Sequence, residues 1–120
     1  PDELKITLES ARALFPHDSL QVDEARAIVT VRGDSIDVRE AHEYAIARIP
    51  QSTLIPLGQV VERQAELDPT RVAILHCKAG VRSAKAIAGL KEAGYKGALI
   101  NLKGGITAWS NEVDPSVPKY

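Results

Sequence analysis

VAILHCKAGVRSAKAIA, residues 72–88, is the stretch whose reading decides the fold. Val72-Ala73-Ile74-Leu75 is an unbroken apolar run, as a strand buried on both faces of a parallel sheet requires. Ser83 to Ala93 reads as an alanine-rich helix with Gly94 at its C′ position. Between them lies the loop His76 to Arg82. In an open α/β sheet, ligands bind at the carboxyl ends of the strands, and Cys77 falls at that end. Gly80 lets the loop curl with no side chain in the way. The backbone N–H groups of such a loop converge, and the helix that follows adds the positive end of its dipole. Lys78 and Arg82 add full charges. A thiol so placed loses its proton readily, and the thiolate is the nucleophile.

Outward from this unit, strands alternate with helices. Leu20 to Val22 reads as a short strand, followed by a helix over Glu24 to Val29 with Asp23 as N-cap. Gly33-Asp34 is a turn, Ser35 to Val38 a buried strand, and Glu40 to Ala45 a short helix. Thr53 to Ile55 is a strand, and Leu57 to Leu67 a helix with Val60, Val61 and Leu67 inward. Asp68-Pro69 stops that helix. Ala98 to Leu102 is the next strand, Gly104-Gly105 a turn, and Ile106 to Ser110 a last helix. Asp114 to Tyr120 reads as a tail extended on the surface. Leu4 to Leu14 has helical spacing and ends at Phe15-Pro16. This order predicts a three-layer α/β fold. The expected organisation is a lead-in segment or linker over residues 1–18 and one domain over 19–120.

The 120 residues suit a single domain, and the chain is 44 % apolar and poor in aromatics, so its core must rest on aliphatic side chains. Fifteen basic and sixteen acidic residues leave a formal charge of −1, which gives no reason to expect nucleic acid or an anionic membrane as partner. No apolar run approaches the roughly 20 residues of a membrane span. The lone cysteine has no disulfide partner and builds no cysteine-rich metal site, and a free thiol fits a reducing cytoplasm. His17 and His42 lack a ligand pattern, so no metal site is expected, and chemistry carried by the thiol itself calls for no organic cofactor.

The loop resembles the active loop of the rhodanese homology family, Cys-x-x-Gly-x-Arg, here Cys77-Lys78-Ala79-Gly80-Val81-Arg82. Ile36-Asp37-Val38-Arg39-Glu40 is similar to the family's Asp-Val-Arg strand end, with Glu43-Tyr44 in the helix that follows. Arg48-Ile49-Pro50 to Ile55-Pro56-Leu57 is similar to its Ile-Pro segments, although Ala47-Arg48 and Gln51-Ser52 stand where the family has Gly-His and Gly-Ala. Leu102-Lys103-Gly104-Gly105-Ile106 with Trp109 is similar to its C-terminal signature. The resemblance covers roughly residues 20–112. It implies a five-stranded parallel sheet flanked by helices and a sulfurtransferase that carries sulfane sulfur as a persulfide on Cys77, with thiosulfate or a protein persulfide as donor.

The ending Ala108 to Pro115, with Val117-Pro118 and Tyr120, resembles the C-terminal domain of MoeB/ThiF-like adenylyltransferase–sulfurtransferase fusions. That likeness implies a ubiquitin-like sulfur-carrier protein as acceptor, in molybdopterin, thiamine or tRNA thiolation, and a fused adenylyltransferase domain. The start at Pro1 rather than Met agrees with excision from a longer chain.

Two other classes stay open. Cdc25-type phosphatases and arsenate reductases share the loop chemistry, but such phosphatases place five residues between Cys and Arg. Here four, Lys78 to Val81, intervene, and the smaller ring suits sulfur better than a tetrahedral phosphate. A binding module that kept the fold without turnover is the third. Within the loop, Cys77 and Arg82 are the expected catalytic residues, and Lys78, Ala79, Gly80, Val81 and Ser83 line the anion. Arg82 assists the anion or braces the loop through Asp37 or Glu40. Ser83 caps the helix or donates to the loop. Asp37 and Arg39 support the site, most simply as a structural ion pair. His76 reads as a packing residue rather than a base, and Trp109 as core.

Overall fold

The structure, a computed structural model, describes residues 3–7, 14–15, 21–23 and 28–120. The strands are β1 (Glu3–Thr7), β2 (Gln21–Asp23), β3 (Ile28–Arg32), β4 (Asp34–Asp37), β5 (Thr53–Leu54), β6 (Ala73–His76) and β7 (Leu99–Asn101). The helices are α1 (Ala41–Ile46), α2 (Val81–Glu92) and α3 (Gly105–Glu112). Strands β4 to β7 make a parallel sheet in the order β5-β4-β6-β7. In register, Ile36 pairs with Leu75, Asp37 with His76, and Leu75 with Asn101. The ends of β4, β6 and β7 therefore meet at one level, which is where a parallel sheet presents its ligands.

Side chains of the central strand alternate between two cores. Ala73, Leu75 and Cys77 face a cluster with Ile36, Val38, Ile55, Val60, Leu67, Ala86 and Leu90. Ile74 faces the other side, with Leu14, Phe15, Leu102, Ile106 and Trp109. Helix α2 covers the first face and α3 the second, so the sheet is sandwiched as a three-layer α/β fold requires.

The parallel sheet has four strands where five were expected. The fifth candidate, around Leu20 to Val22, becomes β2 and pairs antiparallel with β3 in a separate sheet ordered β1-β3-β2. Only residues 24–27 separate β2 from β3. A connection that short makes a hairpin, since a parallel crossover needs about a dozen residues. The helix expected over Glu24 to Val29 is overturned at its C-terminal end, because Ile28–Arg32 is a strand; residues 24–27 lie outside the described residues. Val29, Thr30 and Val31 are β-branched, and that preference prevails over the N-cap signal of Asp23.

The helix expected over Leu4 to Leu14 is likewise a strand over Glu3–Thr7, where polar and apolar residues alternate. Residues 8–13 lie outside the described residues. Leu57 to Leu67 folds as two 3-10 turns, Leu57–Gln59 and Gln64–Glu66. Gly58 and the β-branched pair Val60-Val61 weaken an α-helix there. Val60 and Leu67 are buried as expected, but Val61 is exposed. The remaining elements fall within a few residues of their predicted bounds. The tail is not an extended surface segment: Val117 is buried in the second core and its carbonyl accepts a hydrogen bond from Ser110 Oγ at 2.7 Å.

Candidate active site

Cys77 follows β6, and Gly80 is the N-cap of α2 with φ 105°, a left-handed conformation that glycine adopts without penalty. The tight turn points amides inward. Gly80 N–H donates to Cys77 Sγ at 3.0 Å, and Ser83 Oγ lies 3.5 Å from the same sulfur. The residue is 1 % exposed, yet its sulfur faces this ring of donors rather than only hydrocarbon. Burial pushes the thiol pKa up. The Ser83 hydroxyl and the amides of Ser83, Gly80 and Ala79 more than offset it, so the net shift is downward. The positive end of α2 acts in the same sense.

The loop keeps this shape because its carbonyls are held from behind. Ile106 N–H donates to Cys77 O at 2.9 Å and Thr107 N–H to Lys78 O at 3.3 Å. The first turn of α3 thus takes up the carbonyls that would otherwise face the sulfur. Gly105 makes this approach possible: a Cβ there, at φ 59°, would stand 2.3 Å from Cys77 O and 2.6 Å from Lys78 C. Gly105→Ala is expected to destabilise the protein by about 2–4 kcal/mol in urea denaturation. Thiol reactivity at neutral pH should fall with it, because the loop must shift to admit the methyl group.

Arg82 sets its guanidinium on Glu43, at 2.5 Å and 2.8 Å. Neither Asp37 nor Glu40, the partners expected from the sequence, takes that place. Its charge still reaches the thiol through space, since the Cys77 charge and Glu43 together favour its protonated form. Glu43 is held well below the usual carboxylate range, by Arg82 first and against a smaller cost of burial. Glu40 and Glu43 close a capping box on α1, which fixes Glu43 where Arg82 meets it.

Asp37 and Arg39 pair with each other beneath the loop. Arg39 Nη2 lies 2.7 Å from Asp37 Oδ2, both side chains being fully buried. Arg39 also donates to Ala47 O at 2.6 Å and to Tyr120 Oη at 2.9 Å. His76, fully buried, has Nε2 at 3.4 Å from Asp37 Oδ2, too long for a well-formed hydrogen bond. Lys78 is exposed, and its Nζ stands 4.7 Å from the centroid of the Tyr120 ring. Ala79 and Val81 are exposed at the loop rim, and Ser83 is buried under it. Trp109 is buried in the second core and His42 is exposed; His17 lies outside the described residues.

Besides Glu43, two residues of the site escaped the sequence reading. Asn101, at the end of β7, donates from Nδ2 to Gly80 O at 3.1 Å and accepts from Ser83 Oγ at 2.6 Å. Tyr120 donates to Glu43 Oε2 at 2.5 Å and carries Lys78 over its ring. For Asn101 the available signal was a polar residue ending an apolar strand; for Tyr120 no local signal existed. Among the described residues no cluster of His, Cys, Asp and Glu suits a metal ion, and no helix is long and apolar enough to cross a membrane.

A parallel α/β sheet whose central strand ends in a cysteine loop, with a backbone amide directed at the sulfur, is an arrangement suited to a reactive thiol. The chain belongs to the rhodanese-like domain family, whose pattern matches residues 21–112. It is 42 % identical over 87 residues to a protein of Mycobacterium tuberculosis named "probable adenylyltransferase/sulfurtransferase MoeZ", covering 71 % of this chain and 22 % of that protein. It is 35 % identical over 82 residues to a sulfurtransferase of Allochromatium vinosum, covering 68 % of this chain and 76 % of that one. Among solved structures, a rhodanese-related protein of Thermoplasma volcanium superposes with a TM-score of 0.62 at 29 % identity, covering 72 % of this chain and 84 % of that one. The chain spans less than a quarter of the length of MoeZ.

Proposed function

We propose that this domain is a sulfurtransferase that carries sulfane sulfur as a persulfide on Cys77. The observation that carries the reading is the Gly80 amide aimed at Cys77 Sγ from 3.0 Å, at the N-terminus of α2. A preorganised amide ring stabilises charge on whichever sulfur occupies it. In the first step the Cys77 thiolate attacks the outer sulfur of thiosulfate or of a donor persulfide. A new S–S bond forms, the donor's S–S bond breaks, and sulfite or the donor thiolate leaves. In the second step a nucleophilic acceptor attacks the terminal sulfur, the S–S bond breaks and Cys77 leaves as thiolate; with an acyl adenylate the terminal sulfur instead attacks the carbonyl, AMP leaves, and two equivalents of an external thiol then reduce the acyl disulfide to the thiocarboxylate and free Cys77. No cofactor takes part in either step.

Arg82 serves as a loop brace and as a through-space charge, since its guanidinium is engaged by Glu43. Lys78 offers an exposed cation at the rim for an anionic donor. The likeness to fused adenylyltransferase–sulfurtransferases favours, as physiological acceptor, the activated C-terminus of a ubiquitin-like sulfur carrier. A lone thiol that must stay reduced suits the cytoplasm.

The test is incubation with thiosulfate and cyanide, with p-nitrophenyl phosphate offered in parallel. Thiocyanate formation is the expected result. Phosphate release without thiocyanate would make the domain a phosphatase, and silence in both assays would make it a binding module.

A further inference from the structure

The hydrogen bonds around Asn101 fix where one proton lies. Gly80 O is an acceptor only, so the side-chain atom of Asn101 facing it at 3.1 Å must be the amide nitrogen. Asn101 Oδ1 then faces Ser83 Oγ at 2.6 Å, and the serine must donate. A hydroxyl has one proton. Its other acceptors are farther away, Gly80 O at 3.2 Å and Cys77 Sγ at 3.5 Å. Ser83 is buried, so no solvent competes for the bond. With its proton on Asn101, Ser83 presents lone pairs to the sulfur.

We propose that Asn101 is a positioning residue for Cys77, holding the Ser83 hydroxyl in the orientation that receives the S–H proton of the resting thiol and yielding it when the sulfur becomes an anion. The resting thiol donates to Ser83 Oγ, and this bond competes with the donation from Ser83 to the anion that draws the thiol pKa down. Once the sulfur is charged, the hydroxyl turns from Asn101 to donate to it, and the loop amides supply the rest. Asn101 thus sets how much of the thiol is ionised before a donor arrives. The amide bond to Gly80 O meanwhile keeps the turn closed. This rests on the reading of Cys77 as the sulfur-carrying thiolate, and its test reads ionisation directly rather than sulfur transfer.

The experiment is a pH titration of thiolate ultraviolet absorbance, with Cys77→Ser as blank. Asn101→Ala should lower the midpoint by about one unit, a tenfold gain in thiolate at pH values below it. Asn101→Asp, a stronger acceptor for the same proton, should raise it. In a Ser83→Ala background Asn101→Ala should leave the midpoint unmoved. An equal shift with and without Ser83, or a rise in Asn101→Ala, overturns the proposal. Were Asn101→Ala to unfold, as circular dichroism would show, the Asp variant with and without Ser83 decides by the same rule. Normal titration together with absent thiocyanate formation would sink the sulfurtransferase reading and leave this one standing.

Discussion

Cys77→Ser is expected to abolish thiocyanate formation from thiosulfate and cyanide, down to the rate without protein. Cys77 is the only cysteine in the chain, so no other thiol can take up the sulfur. A serine hydroxyl at neutral pH has neither the ionisation nor the nucleophilicity of the thiolate. The fold should hardly notice. The hydroxyl would inherit the Gly80 N–H that now points at sulfur from 3.0 Å, so the new polar atom is not left unpaired. Equilibrium denaturation should therefore place the variant within about 1 kcal/mol of wild type. Full activity with an intact fold would move the chemistry elsewhere. Loss of activity with gross unfolding would leave Cys77 a packing residue.

Arg39→Met carries the largest expected effect on stability. Arg39 makes bidentate contact with Asp37 at 2.7–3.1 Å, and both side chains are fully buried. Removing the guanidinium leaves a carboxylate with no full counter-charge in the interior, a change of about 3–5 kcal/mol. Asp37→Asn combined with Arg39→Met should recover part of that loss, because no buried charge then remains. The wild-type pair also fixes a pH dependence. Burial pushes Asp37 upward, but the contacts from His76 and Arg39 outweigh it and bring the carboxyl from 3.8 down to about 2. A folded-state value below the unfolded one means that the group stabilises above pH 3.8 and that this contribution fades as pH falls toward 2. Its size is about 2 kcal/mol. Urea midpoints measured between those limits should fall in wild type. In the double variant, which has no carboxylate at residue 37, that portion of the fall should be missing.

The central unit was legible from the sequence because its signals are local. Val72 to Leu75 is apolar without a break, Gly80 and Gly94 mark the ends of α2, and Cys77 stands between strand and helix. The three other parallel strands and helices α1 and α3 follow from the same kind of signal. The N-terminal third was misread where two local signals conflicted. Leu4 to Leu14 carries helical spacing and Asp23 offers an N-cap to Glu24 to Val29, whereas Glu3–Thr7 and Ile28–Arg32 pair as strands across the chain. Pairing between segments more than twenty residues apart leaves no mark on either one alone. The site divides along the same line. Cys77, Gly80 and the helix start come from one segment. The residues that shape it, Glu43, Asn101 and Tyr120, come from α1, β7 and the tail, and only folding brings them to the loop. Arg82 shows the limit most plainly: its presence was read from the motif, but its partner depended on the capping geometry of α1.

Intact mass after incubation with thiosulfate tests the sulfur-carrying role of Cys77 most directly. Wild-type protein should gain the mass of one sulfur atom, lose it on treatment with cyanide or dithiothreitol, and show no gain in Cys77→Ser. A folded wild-type protein whose mass never changes, at thiosulfate concentrations that load other rhodanese-like domains, would contradict the account.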